Sequence, residues 1–208
     1  MLNSLKGNLR FVLAFAGACL VGVYIHEIGH AVAGWVQGIP VFPTPAKEYI
    51  LLDQVEWDQE TWISLGGVIG TVLVVLGTLL WYVRSNRFIA DAILAGVLLT
   101  PCLYTVRFLL VGRGHDALEW QAAQSALGLA PAGHAVDLLF LGLLLAGIAV
   151  WIVRRHSSLR LSSVVRVLGL VVGGIALLVI LQTTNNALFD QFFPKTTTMD
   201  VPAGLDPR

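Results

Sequence analysis

Five stretches of this chain, 11–35, 62–83, 88–111, 135–153 and 161–181, are apolar over about 20 residues. That is the length a helix needs to cross the hydrocarbon core of a bilayer. A helix satisfies its own backbone hydrogen bonds, so such runs restrict the fold more than any other feature. The remainder of the composition agrees: 56% of residues are hydrophobic and 12% charged, against about 25% charged in a soluble domain. The expected fold is an all-α integral membrane bundle of about five transmembrane helices spanning 1–182, with an irregular extramembrane C-terminal tail over 183–208. Lys6 and Arg10 precede the first apolar run in the manner of a signal peptide. That run exceeds a signal h-region, which predicts a retained first helix.

Two interruptions organise the loops. Between the first two runs, Pro40, Pro43 and Pro45 forbid continuous helix, and 49–57 mixes apolar with acidic residues. This predicts a short surface strand or hairpin after the first helix. The second interruption, 112–133, contains a short helix over 117–127 that ends at Gly128 and Pro131. The net charge is zero, which gives no reason to expect a nucleic-acid partner. The distribution is uneven: Lys6 and Arg10, Arg84 and Arg87, and Arg154, Arg155 and Arg160 belong on the cytoplasmic side, while Glu48, Asp53, Glu56, Asp58 and Glu60 belong outside. The chain is expected to be a multi-pass protein of the cell membrane with a cytoplasmic N-terminus. Trp35, Trp57, Trp62 and Trp120 then mark the outer interface, and Trp81 and Trp151 the inner one. Cys19 and Cys102 lie in apolar runs without metal-site spacing and read as packed membrane cysteines.

The first run carries His26-Glu27-Ile28-Gly29-His30. Residues four apart share one face of a helix, so both imidazoles can aim at one cation, with Glu27 beside them. An isolated ionisable side chain in hydrocarbon costs about 2.5 kcal/mol or more, and three together require a partner. Zinc takes two imidazoles and a third protein donor and leaves a position for water, from which Glu27 can take a proton. Asp116, after Gly112-Arg113-Gly114-His115, is the preferred third ligand; His115, Glu119, His134 and Asp137 are alternatives. Asp116 also reads as an N-cap, with Glu119 three residues on. Ala14, Ala18, Gly22, His26, His30 and Gly34 form a small-residue ridge, and Gly66 with Gly70 offers a docking surface for it. Arg107 either snorkels to the outer interface or steadies an oxyanion.

The pattern His26-Glu27-Ile28-Gly29-His30-Ala31-Val32-Ala33-Gly34 near the end of an early transmembrane helix resembles the site-2 protease family of intramembrane zinc metallopeptidases. The resemblance implies zinc held by His26 and His30, Glu27 as the catalytic base, and an aspartate from a later segment, for which Asp116 is the match in order and position. It makes 1–182 a metallopeptidase domain, with the lipid bilayer and a membrane-protein or peptide substrate as partners. The chain departs from the family in lacking the Asn-Pro-x-Pro-x-x-Asp-Gly segment. The charge pattern also places the site toward the outside, where the family places it toward the cytosol. The residues 49–57 are expected to pair with an unwound substrate strand. A membrane metal-ion transporter and a non-cleaving scaffold are the rival readings.

Overall fold

The computed structural model describes residues 2–85, 89–112, 117–155, 161–193 and 198–199. Among them are seven helices: α1 (Leu2–Val36), α2 (Trp57–Arg84), α3 (Ala90–Val97), α4 (Leu99–Val111), α5 (Ala117–Ala126), α6 (Ala135–Arg155) and α7 (Leu161–Phe189). Four contain segments long and apolar enough to cross a membrane: Leu9–Val36, Trp57–Arg84, Ala135–Arg155 and Val172–Phe189. The third expected span is divided. α3 and α4 together pass the same test but meet at a 42° bend. Pro101 explains the break, because its ring nitrogen cannot donate to the carbonyl of Val97 one turn back. These helices fit a multi-pass membrane protein.

α1 ends where local chemistry ends it. Gly38 takes φ +75°, Ile39 N–H donates to Gly34 O at 2.9 Å, and Gly38 N–H donates to Trp35 O at 3.0 Å. This glycine-terminated double bond satisfies the last carbonyls, and Pro40 follows. The chain then forms β1 (Val41–Pro43) and β2 (Glu48–Ile50), an antiparallel hairpin in which Phe42 faces Tyr49. A hairpin was expected, centred further along; 51–57 are not part of it. β3 (Gln54–Val55) pairs in parallel with β4 (Thr198–Met199). α2 begins at Trp57 rather than near residue 62. Glu56 and Gln59 form a reciprocal cap, with Glu56 N–H donating to Gln59 Oε1 at 3.2 Å.

α2 lies along α1 at backbone contact. A Cβ on Gly29 would fall 2.2 Å from Gly66 O, and one on Gly70 would fall 2.6 Å from Ile25 O. Gly66 and Gly70 therefore dock on α1 as expected of small-residue pairs. The surface they meet is Ile25 and Gly29, one position round from the ridge. The ridge itself is divided among other neighbours: a Cβ on Gly22 would touch Val97 of α3, and one on Gly34 would meet the Val41 side chain of β1. Below this contact Ala18, Val75, Leu79, Leu94, Val97 and Leu143 form an apolar core shared by α1, α2, α3 and α6.

Two further expectations are revised. α7 does not stop near residue 182 but continues to Phe189, so the tail expected to be irregular from 183 begins in helix. Its polar residues stay helical because they have partners. Thr183 Oγ1 donates to Val179 O at 2.8 Å, and buried Asn185 donates to Tyr49 OH at 3.3 Å. Trp120, expected in the outer aromatic belt, is 3% exposed and packs against Tyr104 and Phe140. α5 turns it inward onto α2 and α6, whereas Trp35 and Trp62 are exposed as a belt requires.

Candidate metal centre

His26 and His30 lie on the face of α1 that meets α2, about 9–15 Å from the Val36 end at 1.5 Å per residue. Gly67 makes room for them: a Cβ there would fall 2.2 Å from His30 Nε2 and 2.9 Å from His26 Cε1. α2 also orients both rings. His30 Nδ1 is 2.8 Å from Ile63 O, and a carbonyl only accepts, so Nδ1 carries the proton and Nε2 is left with a lone pair. His26 Nδ1 is 2.9 Å from Thr71 Oγ1. Both outward nitrogens are thus engaged, and the two Nε2 atoms face each other at 3.1 Å.

A carboxylate joins them. Glu119, in the first turn of α5, places Oε1 3.4 Å from His26 Nε2 and 3.6 Å from His30 Nε2. α5 is held for this by its own contacts: Trp120 and Ala123 pack with Leu65 and Val68 of α2 and with Phe140 of α6. Beyond its C-terminus Gln124 ties the loop, donating to Pro131 O at 2.8 Å and accepting from Ala135 N–H at 2.7 Å. The helix ends at Ala126 and Gly128 takes φ +68°, close to the expected stop.

Asp116, the preferred third ligand, and His115 lie outside the described residues. Of the other carboxylates and imidazoles weighed for that place, Glu119 reaches the pair. His134 and Asp137 instead face each other at 3.3 Å. Arg107 is exposed, in line with the snorkelling reading. Tyr104 closes one side, its ring centroid 6.3 Å from that of His26.

Glu27 is 6% exposed and its Oε2 is buried without a hydrogen-bond partner. One oxygen of its carboxyl group lies within 4.8 Å of a ligand atom of Glu48 of β2 and of one of His30. Sequence reasoning treated Glu48 only as one of five acidic loop residues; a hairpin folding back onto α1 has no local signature. Among the described residues, two sets of side chains could hold a metal ion: His26, His30 and Glu119, and Glu27, His30 and Glu48. Thr71, Ile63 and Gly67 were not singled out either, because what they do depends on how α2 is rotated against α1.

No family model, curated protein or solved structure matches this chain.

Proposed function

We propose that this chain is an intramembrane zinc metallopeptidase that hydrolyses peptide bonds in or near transmembrane segments of other membrane proteins. One observation carries the reading. Two imidazole Nε2 atoms and a carboxylate oxygen face one another at 3.1, 3.4 and 3.6 Å. Three such groups so close require a proton or a cation shared among them, and the donor set suits a cation. Zinc bonds of about 2.0–2.2 Å give tetrahedral edges of about 3.3–3.6 Å; the two sides to Glu119 fall in that range and the imidazole–imidazole side of 3.1 Å is slightly shorter. The hydrogen bonds at Nδ1 are of the kind that orients metal-bound imidazoles and raises their basicity. The donor set of two nitrogens and one oxygen fits zinc in a site that keeps a position open.

His26, His30 and Glu119 would hold the ion. When bound, it supplies a Lewis acid that polarises a carbonyl and makes water acidic near neutral pH. Glu27, next to His26 and not among these three donors, takes the proton of the attacking water and passes it to the leaving nitrogen. Burial of His26, Glu27 and His30 keeps other water away and strengthens each electrostatic contact. His26, Glu27 and His30 are 4, 6 and 2% exposed, so a substrate carbonyl arrives only after part of the surrounding wall moves. A substrate helix also has to unwind, since its carbonyls are otherwise committed to its own backbone. The edge of the 49–57 segment is the natural receiver of such a strand, and Gln54–Val55 already pairs with Thr198–Met199 of this chain.

A transporter would need ionisable groups at several depths. At the far end Asp91 is bound to Arg155 and Tyr82, which leaves it occupied in a structural contact. The test is zinc content and cleavage of a membrane-protein substrate by the detergent-purified chain, with Glu27→Gln alongside. One zinc per chain in both proteins, with cleavage lost in the variant, is the expected result. A metal-free folded chain, or a fully active Glu27→Gln, refutes the reading, and zinc without cleavage in the native chain favours a scaffold.

A further inference from the structure

His30 belongs to both candidate ligand groups, and the donor atoms within each group lie within 4.8 Å of one another. With its Nδ1 proton given to Ile63 O, His30 has one lone pair to offer, and one lone pair binds one cation. The two groups therefore cannot each hold an ion through His30 at the same time. His26, His30 and Glu119 take three corners. Glu27 and Glu48, whose ligand oxygens lie within 4.8 Å of each other and of a His30 ring nitrogen, border the fourth.

We propose, building on the zinc reading above, that Glu48 is a displaceable fourth protein ligand. The hairpin carries its carboxylate to the corner that water must occupy, and the end of α7 holds the hairpin there. Successive side chains of an extended strand point to opposite faces. Glu48 points to the centre while its neighbours point to α7: Lys47 Nζ lies 2.5 Å from Asp190 Oδ1 and Tyr49 OH donates to the same oxygen at 2.8 Å. Asn185 donates to Tyr49 OH, and Phe193 packs on both Phe42 and Tyr49, at ring-centroid distances of 5.0 and 4.7 Å. β1 is attached differently, to α1, through Trp35 Nε1–H donating to Val41 O at 2.8 Å.

The two attachments differ in kind. His26 and His30 are placed by α1 against α2, a backbone-to-backbone contact that leaves no slack. β2 is held to the end of α7 by side-chain contacts, among them an ion pair whose two side chains are both about one-third exposed, 35% and 36%, and such pairs are weak and screened by salt. β2 can therefore withdraw Glu48 while the other three donors stay in place. The closed arrangement holds metal tightly and excludes water from the fourth corner; the open one admits water and substrate together.

The test uses the full chain in detergent, with zinc affinity measured by competition with a chromophoric chelator and binding of a small hydroxamate measured on the zinc-loaded protein. Glu48→Gln is expected to weaken zinc about tenfold and to tighten hydroxamate several-fold, because the corner it needs is no longer contested. A purely structural role would weaken both. Asp190→Asn, remote from the ion, is expected to speed chelator-driven zinc loss several-fold. Unchanged zinc and hydroxamate affinities in Glu48→Gln overturn the ligand assignment, and unchanged zinc loss in Asp190→Asn overturns the clamp. A native chain that binds no zinc at all brings down the metal centre itself, a different outcome from either. Should Glu48→Gln fail to fold, Asp190→Asn still decides whether the hairpin controls the site.

Discussion

The two ends of the helix bundle handle buried charge in opposite ways. At the end where α2 stops and α3 begins, Asp91 accepts from Tyr82 OH at 2.7 Å and pairs with Arg155 at 2.9 Å, while Arg154 donates to the carbonyls of Tyr82 and Val83 and covers the Tyr82 ring. Donors meet acceptors and opposite charges meet, so nothing further is required. At the hairpin end, potential metal ligands converge instead: two imidazole nitrogens with Glu119, beside Glu27 and Glu48. Polar groups near a membrane are held only if something balances them. The first end carries its own balance, and under the proposed function the second takes it from a cation.

That contrast can be broken experimentally. The largest expected effect is on rate: Glu27→Gln should lower cleavage by about 10²–10⁴-fold, the range of general-base catalysis, with zinc content unchanged by atomic absorption. Next is metal-linked stability. Stripping zinc with a chelator should lower the unfolding temperature of the native chain, because an ion bound only by the folded state stabilises it. In His30→Ala the same chelator should cause no shift, which differential scanning fluorimetry in detergent can follow. Gly67→Ala should cost about 1–3 kcal/mol, as overpacking does, and weaken zinc as well, since the new Cβ would press on both imidazoles. The smallest effect belongs to the far end: Asp91→Asn should change stability by about 1 kcal/mol or less and leave zinc affinity untouched. A large loss of zinc from that variant would mean that the two ends are coupled.

The fate of individual expectations follows the range of the interactions behind them. α5 stopped within a residue of its expected end because Gly128 acts locally. The bend at Leu98 was equally legible, in Pro101, and the five-span reading passed over it. Glu119 was one of several alternatives for the third ligand, and no spacing rule links residue 119 to residue 30. It reaches the pair because Trp120 and Ala123 seat α5 on α2 and α6. Glu48 looked like a solvent-facing loop charge, since its role depends on a hairpin anchored at both the end of α1 and the end of α7.

The sequence by itself determined the apolar helices, the cap and turn that end α1, and the pairing of His26 with His30 on one face. Each of these depends on residues within a turn or two of one another, or on an unbroken apolar length matched to a bilayer. Only the tertiary structure decided which carboxylates join the two imidazoles and which groups pair with their Nδ1 atoms. Those partners lie 18 or more positions away along the chain, and their approach is set by how helices and hairpin pack, a property of the whole molecule that no local pattern encodes.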